Sequence, residues 1–290
     1  MEHYVLTGHP LGHSVSPVIH KRLFALSGHE GCDYSLLPIP PEDFTSRFQE
    51  LSRLSGFNVT IPHKQAVIPL LDSIDVSAQR YHAVNVVHNN NGTLTGYNTD
   101  VTGFLKSVER LGITLSGKRV LVLGYGGAGR MMAAEAAWQG AEEVSIAARK
   151  SSLEKAEKLA AEFRKAVPHC KISALLLEEA GGGYDLIVNS TPVGMYPHTE
   201  ASPLLKKQLE GSKALFDAIY NPAQTRLMAD AAECGLIVSG GMTMLVWQAA
   251  AAHEIWYGAR FETKDIERLI REMEDYILTH FQRQPCGRQV

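Results

Sequence analysis

Short apolar runs alternate along the chain with stretches of helical period, and one such alternation is unusually sharp. Val120-Leu121-Val122-Leu123 reads as a buried strand, glycines at 124, 126 and 129 interrupt it, and the alanine-rich stretch 131–139 reads as a helix. Further strands are expected over 119–123, 143–147, 186–189, 214–218 and 236–239, with a helix over 152–166 between the second and third. That helix is expected to open on a capping box of Ser151 and Glu154. Strands alternating with helices predict a parallel sheet covered on both faces.

The first hundred residues carry the same alternation in shorter pieces. Strands are expected over 4–7, 33–37, 56–60, 83–88 and 93–97, with helices after Pro17 and over 42–54 and 75–82. Asn89-Asn90-Asn91-Gly92 between two strand-like runs predicts a hairpin. A helix over 102–111 follows. Past Gly240-Gly241 the pattern is helical only, with one apolar face on Met244, Leu245, Ala249, Ala252 and Ile255. A last helix is expected to be capped by Thr263, with a stripe of Ile266, Leu269, Ile270, Met273 and Ile277. The polar tail 282–290 is expected to fray. Three parts result: 1–101, 102–240 and 241–290.

Composition narrows the class. Of 290 residues, 45% are apolar, enough for full cores and against disorder. A formal net charge of −3 with mixed signs gives no footprint for nucleic acid or an anionic membrane. No run reaches the length of a membrane span, and the N-terminal stretch lacks the pattern of a signal peptide. Cys32, Cys170, Cys234 and Cys286 are isolated, as expected of reduced thiols in a cytoplasmic protein. No metal site is expected.

The glycines then acquire a chemical meaning. Gly124, Gly126 and Gly129 fit G-x-G-x-x-G between a strand and a helix, the context of a dinucleotide-binding turn. Gly124 permits the turn, Gly126 admits a pyrophosphate close to the backbone, and Gly129 lets helix and strand pack closely. Gly127 and Ala128 lie within the turn, and the N-terminal N–H groups and dipole of the helix that follows favour an anion. The bland alternative is an ordinary glycine-rich turn. At the end of the next strand stand Ala148, Arg149 and Lys150, with no acid to receive a ribose 2′-hydroxyl. That favours a 2′-phosphate, hence NADP, over a mere solvated charge pair.

Polar residues also appear where a core is expected. Ser14 and Ser16 precede a helix and could hold a carboxylate or simply cap it. Asn58 and Thr60 share a strand face leading to Lys64, which is either a polar pocket or a solvated strand end. Asn85 lies among valines, where a lone amide needs a partner. Asp100 follows Asn98-Thr99 at a helix start, where capping alone would account for it. Spacing does not bring Lys64 and Asp100 together.

Taken in order, these stretches resemble the shikimate dehydrogenase family from about Tyr4 to the last helix. The resemblance rests on Ser14-Val15-Ser16-Pro17, Asn58-Val59-Thr60-Ile61-Pro62-His63-Lys64, Ala83-Val84-Asn85, Asn98-Thr99-Asp100, the glycine turn, Asn189-Ser190-Thr191-Pro192-Val193-Gly194-Met195, and Gly241-Met242 with Gln248. It implies NADPH-dependent reversible reduction of 3-dehydroshikimate to shikimate, in the making of aromatic amino acids. It also implies two α/β domains around a cleft. The first binds substrate, the second is a Rossmann-type NADP domain, and the C-terminal helices return to the first.

By the same resemblance Lys64 and Asp100 act at the reacting hydroxyl, and Ser14 and Ser16 hold the carboxylate. Thr60, Asn85 and Gln248 bind ring hydroxyls, with Asn58 and Tyr220 also on the substrate side. Thr191 joins the glycine turn, Arg149 and Lys150 in holding the cofactor, and Gly241 and Met242 lie beside its nicotinamide. The expected partner is the small-molecule substrate, with a homodimer left open.

The chain departs from the family pattern at some positions. Ala148-Arg149-Lys150 stands where Asn-Arg-Thr is usual, so NADP preference could be relaxed. Val101, His82 and Tyr125 replace glycine, glycine and a small residue. Two other readings stay open: a quinate/shikimate dehydrogenase of broader cofactor use, and a non-catalytic dinucleotide-binding sensor needing neither Lys64 nor Asp100.

Overall fold

A computed structural model describes residues 2–12 and 14–281. The expected frayed tail, Cys286 and His13 of the loop before the first helix lie outside the described residues. The described residues form two compact units, one from those up to Gly103 with Val246–Arg271, the other from Phe104–Leu245 with 272–281. This division differs from the expected three parts. It falls inside continuous helices, where periodicity marks the helix but not which residues each turn packs against.

The first unit contains β1 (His3–Gly8), α1 (Ser16–Leu26), β2 (Asp33–Pro38), α2 (Phe44–Leu51), β3 (Gly56–Val59), β4 (Ser73–Ile74), α3 (Val76–Tyr81), β5 (Val86–Asn90) and β6 (Thr93–Tyr97). Its sheet runs β2-β1-β3-β5-β6-β4. β2, β1 and β3 are parallel, and β5 is antiparallel to both β3 and β6. The hairpin forms as the sequence predicts. Asn90 pairs with Thr93 around Asn91 and Gly92, whose φ values of 52° and 95° are those of a type I′ turn. Asp75 caps α3 by accepting from Ser77 N at 2.8 Å. Helix α2 is shorter than expected, because a 3₁₀ turn over Pro41–Asp43 leads into it and it ends at Leu51.

The second unit holds β7 (Arg119–Leu123), α5 (Gly127–Trp138), β8 (Glu143–Ala148), α6 (Leu153–Ala166), β9 (Lys171–Leu176), β10 (Leu186–Asn189), β11 (Ala214–Asp217), α7 (Arg226–Glu233) and β12 (Ile237–Ser239). Its six strands run β12-β11-β10-β7-β8-β9, all parallel, and α5, α6 and α7 pack against them. Val120, Leu121, Val122 and Leu123 are fully buried, as a central parallel strand requires. Helices α4 (Asp100–Arg110), α8 (Gly241–Tyr257) and α9 (Thr263–His280) contribute residues to both units.

Several local expectations are corrected. Strand β9 escapes the pattern because it is an edge strand bonded only to β8, and its burial is partial. The capping box at Ser151 does not form. Residue 152 holds the cap position after a 3₁₀ turn, no side chain caps α6, and Glu154 pairs instead with Lys158 at 2.8 Å. Thr263 is the first residue of α9, whose first turn bonds back to the Glu262 carbonyl. Helix α8 is apolar beyond a single face, with Val246, Ala249, Ala250 and Ala252 all fully buried.

Candidate active site

In the first unit, sheet order brings the scattered polar residues together. Strand β3 lies beside β5, and the turn after β3 returns Lys64 toward the start of β5, where Val84 N donates to the Lys64 carbonyl at 2.8 Å. Helix α4 starts directly after β6, the partner of β5. Lys64 Nζ therefore reaches Asp100 Oδ2 at 2.6 Å, although the two are 36 residues apart. Both side chains are partly exposed, at 28% and 19%. The pair is neither fully desolvated nor screened as a surface pair would be.

Asn85 organises the cluster. Its Nδ2 lies 3.0 Å from Thr99 Oγ1, 3.0 Å from Asp100 Oδ1 and 3.4 Å from Gln248 Oε1. Its Oδ1 accepts from Thr99 N at 2.8 Å. The lone amide among valines thus finds its partners, and Asp100 is held by lysine and amide rather than spent as a helix cap. Asn98 braces the same turn, donating to the Ala83 carbonyl at 2.9 Å and accepting from Asp100 N at 3.1 Å.

Asn58 has a different place. It is buried, its Oδ1 accepts from Tyr34 at 2.7 Å, and its Nδ2 donates to the Asn85 carbonyl at 3.1 Å. It steadies Asn85 from behind. The Thr60 hydroxyl makes no hydrogen bond among the described residues and is part-exposed. Ser14 Oγ donates to Ser16 Oγ at 3.1 Å and accepts from Ser16 N at 3.3 Å. The Ser16 hydroxyl proton is then left for another acceptor, and neither serine side chain caps α1. Tyr34 and Thr99 belong to this network without having been singled out from sequence. Thr99 sits inside a quoted motif, but nothing in the pattern around Tyr34 marks it.

In the second unit the glycine turn has the geometry each glycine suggests. Gly124 has φ +98°, closed to most side chains. A Cβ at Gly129 would lie 2.5 Å from the Gly124 carbonyl oxygen, whereas one at Gly126 or Gly127 would meet nothing within 4 Å. Gly126, Gly127 and Ala128 are exposed, and no side chain caps α5. Open backbone at an uncapped helix N-terminus is a cradle for phosphate. Arg149 and Lys150 are exposed at the end of β8 and pair with no described residue. The donor set therefore fits a dinucleotide carrying an extra phosphate.

The ends of β10 and β11 meet at a buried carboxylate. Asp217 Oδ1 accepts from Asn189 Nδ2 at 3.0 Å and Ile219 N at 3.1 Å, and Oδ2 accepts from Thr225 Oγ1 at 2.7 Å. Asn189 Oδ1 in turn accepts from Thr191 N at 3.0 Å and Thr191 Oγ1 at 2.7 Å. Burial pushes the Asp217 carboxyl up to about 6, against the pull of these donors. Tyr220 follows, with its phenol pushed up by burial. Gly241 N donates to the Ile219 carbonyl at 2.9 Å, and a Cβ there would lie 2.2 Å from the Ala218 carbonyl oxygen. Met242 beside it is buried.

Comparison with known proteins adds to this geometry. The family model for the shikimate dehydrogenase substrate-binding domain matches residues 6–87. A shikimate dehydrogenase (NADP(+)) of Bacillus cereus (strain G9842) is 39% identical over 261 residues, 88% of this chain and 92% of that one. Among solved structures, the Thermus thermophilus shikimate 5-dehydrogenase in complex with NADP(H) and shikimate has a TM-score of 0.82 at 34% identity, covering 94% of this chain and 99% of that one. The Listeria monocytogenes shikimate 5-dehydrogenase in complex with shikimate and NAD has a TM-score of 0.83 at 30% identity, covering 93% and 96%.

Proposed function

We infer that the chain, which belongs to the shikimate dehydrogenase family, catalyses the NADPH-dependent, reversible reduction of 3-dehydroshikimate to shikimate. The observation that carries this reading is the Lys64–Asp100 pair at 2.6 Å, held by Asn85 beside Gln248. A dinucleotide-binding sensor has no use for such a pair.

When bound, NADPH supplies the hydride to the carbonyl carbon. The Lys64 ammonium donates to the carbonyl oxygen and gives it a proton as the carbinol forms. Asp100 fixes the lysine through the 2.6 Å contact. In the oxidative direction Lys64 takes the hydroxyl proton back. Asn85 and Gln248 orient the ring hydroxyls with Thr60, whose hydroxyl is unspent, and Asn58 keeps Asn85 in place. The Ser16 hydroxyl proton, left over by the Ser14 contact, goes to the carboxylate, Ser14 joins it by turning its own proton from Ser16 Oγ to the same group, and Tyr220 is also assigned to the substrate.

The cofactor is NADP. Gly124, Gly126, Gly127, Ala128 and Gly129 would receive its pyrophosphate, Arg149 and Lys150 its 2′-phosphate, Gly241 and Met242 would lie beside its nicotinamide, and Thr191 would also hold the cofactor. The open backbone and the two cations, neither paired with a described residue, support this assignment. The expected organisation into residues 1–101, 102–240 and 241–290 belongs to the same reading, as does residence in the cytoplasm. Among the described residues Cys32, Cys170 and Cys234 are free and no helix is long and apolar enough to cross a membrane. A homodimer is tested by sedimentation velocity.

The decisive assay follows nicotinamide absorbance with 3-dehydroshikimate, NADPH and NADH side by side. Loss with NADPH alone is expected. Comparable loss with both moves the chain to the quinate/shikimate group of broader cofactor use. Loss with neither removes the enzyme reading.

A further inference from the structure

Three segments assigned to cofactor and substrate in the second unit converge on one buried side chain that itself reaches neither. Thr191 lies just past β10, Tyr220 just past β11, and Gly241 opens α8. Strands β10 and β11 run parallel with Asn189 opposite Asp217. The Asp217 carboxylate spans the gap at their ends, bonding Asn189 on one side and Ile219 N on the other. Asn189 passes the connection to both the backbone and the hydroxyl of Thr191. Ile219 passes it to Gly241 through its carbonyl. Thr225 anchors the other oxygen while capping α7, where it accepts from Met228 N at 3.2 Å. Asp217 is fully buried and all its partners are uncharged, so the site bears the cost of a desolvated acid without an ion pair to offset it.

We propose that Asp217 is a positioning residue for the redox reaction, setting the Thr191 loop and the Ile219–Tyr220 segment through Asn189 and Ile219 N. This rests on the assignment of Thr191 to the cofactor. A neutral aliphatic residue in its place would leave Asn189 Nδ2 and Ile219 N without acceptors, and the two loops would lose their common reference. An asparagine would keep it. Its oxygen accepts from Asn189 and Ile219, and its amide donates to the Thr225 hydroxyl.

The test is steady-state kinetics of NADPH oxidation with 3-dehydroshikimate on the full chain. Asp217→Ala should raise KM for NADPH by about tenfold or more, the scale of hydrogen bonds to a charged group. Asp217→Asn should restore KM to within about threefold of the parent, a difference well under one such bond. A role in stability alone would lower the amount of active enzyme, reducing apparent kcat while leaving KM unmoved. An unchanged KM in Asp217→Ala therefore overturns the proposal. Where Asp217→Ala yields no folded enzyme, Asn189→Ala decides, because Asn189 is the link from the carboxylate to Thr191. Raised KM supports the proposal and unchanged KM overturns it. Thr191→Ala separates the positioning role from the cofactor assignment beneath it. If it raises KM while Asp217→Ala and Asn189→Ala do not, the positioning role fails and the cofactor assignment stands. If it leaves KM unmoved, the cofactor assignment fails and takes the positioning role with it.

Discussion

In the first unit the candidate site is built of side chains that hold one another, and in the second it is built largely of backbone left open. Lys64, Asp100, Asn85, Thr99 and Gln248 form one hydrogen-bonded cluster. The glycine turn offers exposed N–H groups around Gly126 and Gly127 and empty space where side chains would be. The contrast fits the role proposed for each region. Moving a proton needs a titratable group held within a fraction of an ångström. Holding a pyrophosphate needs convergent N–H groups and a helix dipole, and any side chain would obstruct them.

The sharpest way to break this comparison is to remove the titratable group. Lys64→Ala should lower kcat by about 10²- to 10⁴-fold, the usual range for a general acid–base group, with KM for NADPH unchanged. Near-normal turnover would take Lys64 out of the proton transfer.

Next come the glycines, which separate packing from cradling. Gly129→Ala forces a Cβ to 2.5 Å from the Gly124 carbonyl oxygen and should cost about 1–3 kcal/mol of stability by overpacking, seen as a lower melting temperature. Gly126→Ala meets no protein atom within 4 Å, so melting should hold while KM for NADPH rises. If both variants behaved alike, the two glycines would not have separate functions.

The buried titratable groups of the two units should also respond oppositely to acid. In the first, His20 and His253 are buried with 2.9 Å between Nδ1 and Nε2, and His253 Nδ1 contacts the Tyr257 hydroxyl. Burial, with His253 as neighbouring base, holds His20 low, and burial with a smaller contribution from His29 holds His253 at about 3. A histidine depressed on folding binds more protons when unfolded, so its stabilisation is lost as pH falls from about 6.5 toward 3. Asp217 is raised from 3.8 to about 6, so it binds more protons when folded, and stability from this group grows as pH falls across that window. The histidine shift is the larger. Amide hydrogen exchange at pH about 4.5 against about 7 should show protection falling first around α1 and α8. Earlier loss around β10 and β11 would contradict this ordering.

The smallest effect is expected at Ser151. It makes no cap for α6, so Ser151→Ala should change stability by less than about 0.5 kcal/mol in thermal unfolding. A loss of a full kcal/mol would restore the capping box that the sequence suggests.

That capping box shows where a local pattern misleads. Serine followed three residues on by glutamate is a helix-start signature, yet a 3₁₀ turn shifted the start and Lys158 took the glutamate. Elsewhere local chemistry was sufficient. The Asn91-Gly92 turn needs positive φ at both residues, and these are the residue types that tolerate it. Strand β7 and the glycine turn were legible for the same reason, since an apolar run and a Gly-specific conformation are properties of consecutive residues.

By itself the sequence determined most of the elements, the parallel class of the second sheet, the place of the glycine turn and the residue types available for chemistry. These follow from side-chain period and backbone sterics, which act over a few residues. Only the tertiary structure decided which polar groups meet. Lys64 and Asp100 are 36 residues apart, Tyr34 and Asn58 24, and Asn189 and Asp217 28. Each pair is joined by strand order, and strand order is chosen by burial of whole faces, a non-local quantity no short window contains. It was also the structure that turned Asn58 from an open amide into a buried support. Both of its polar ends had to find partners once the strand around it was buried.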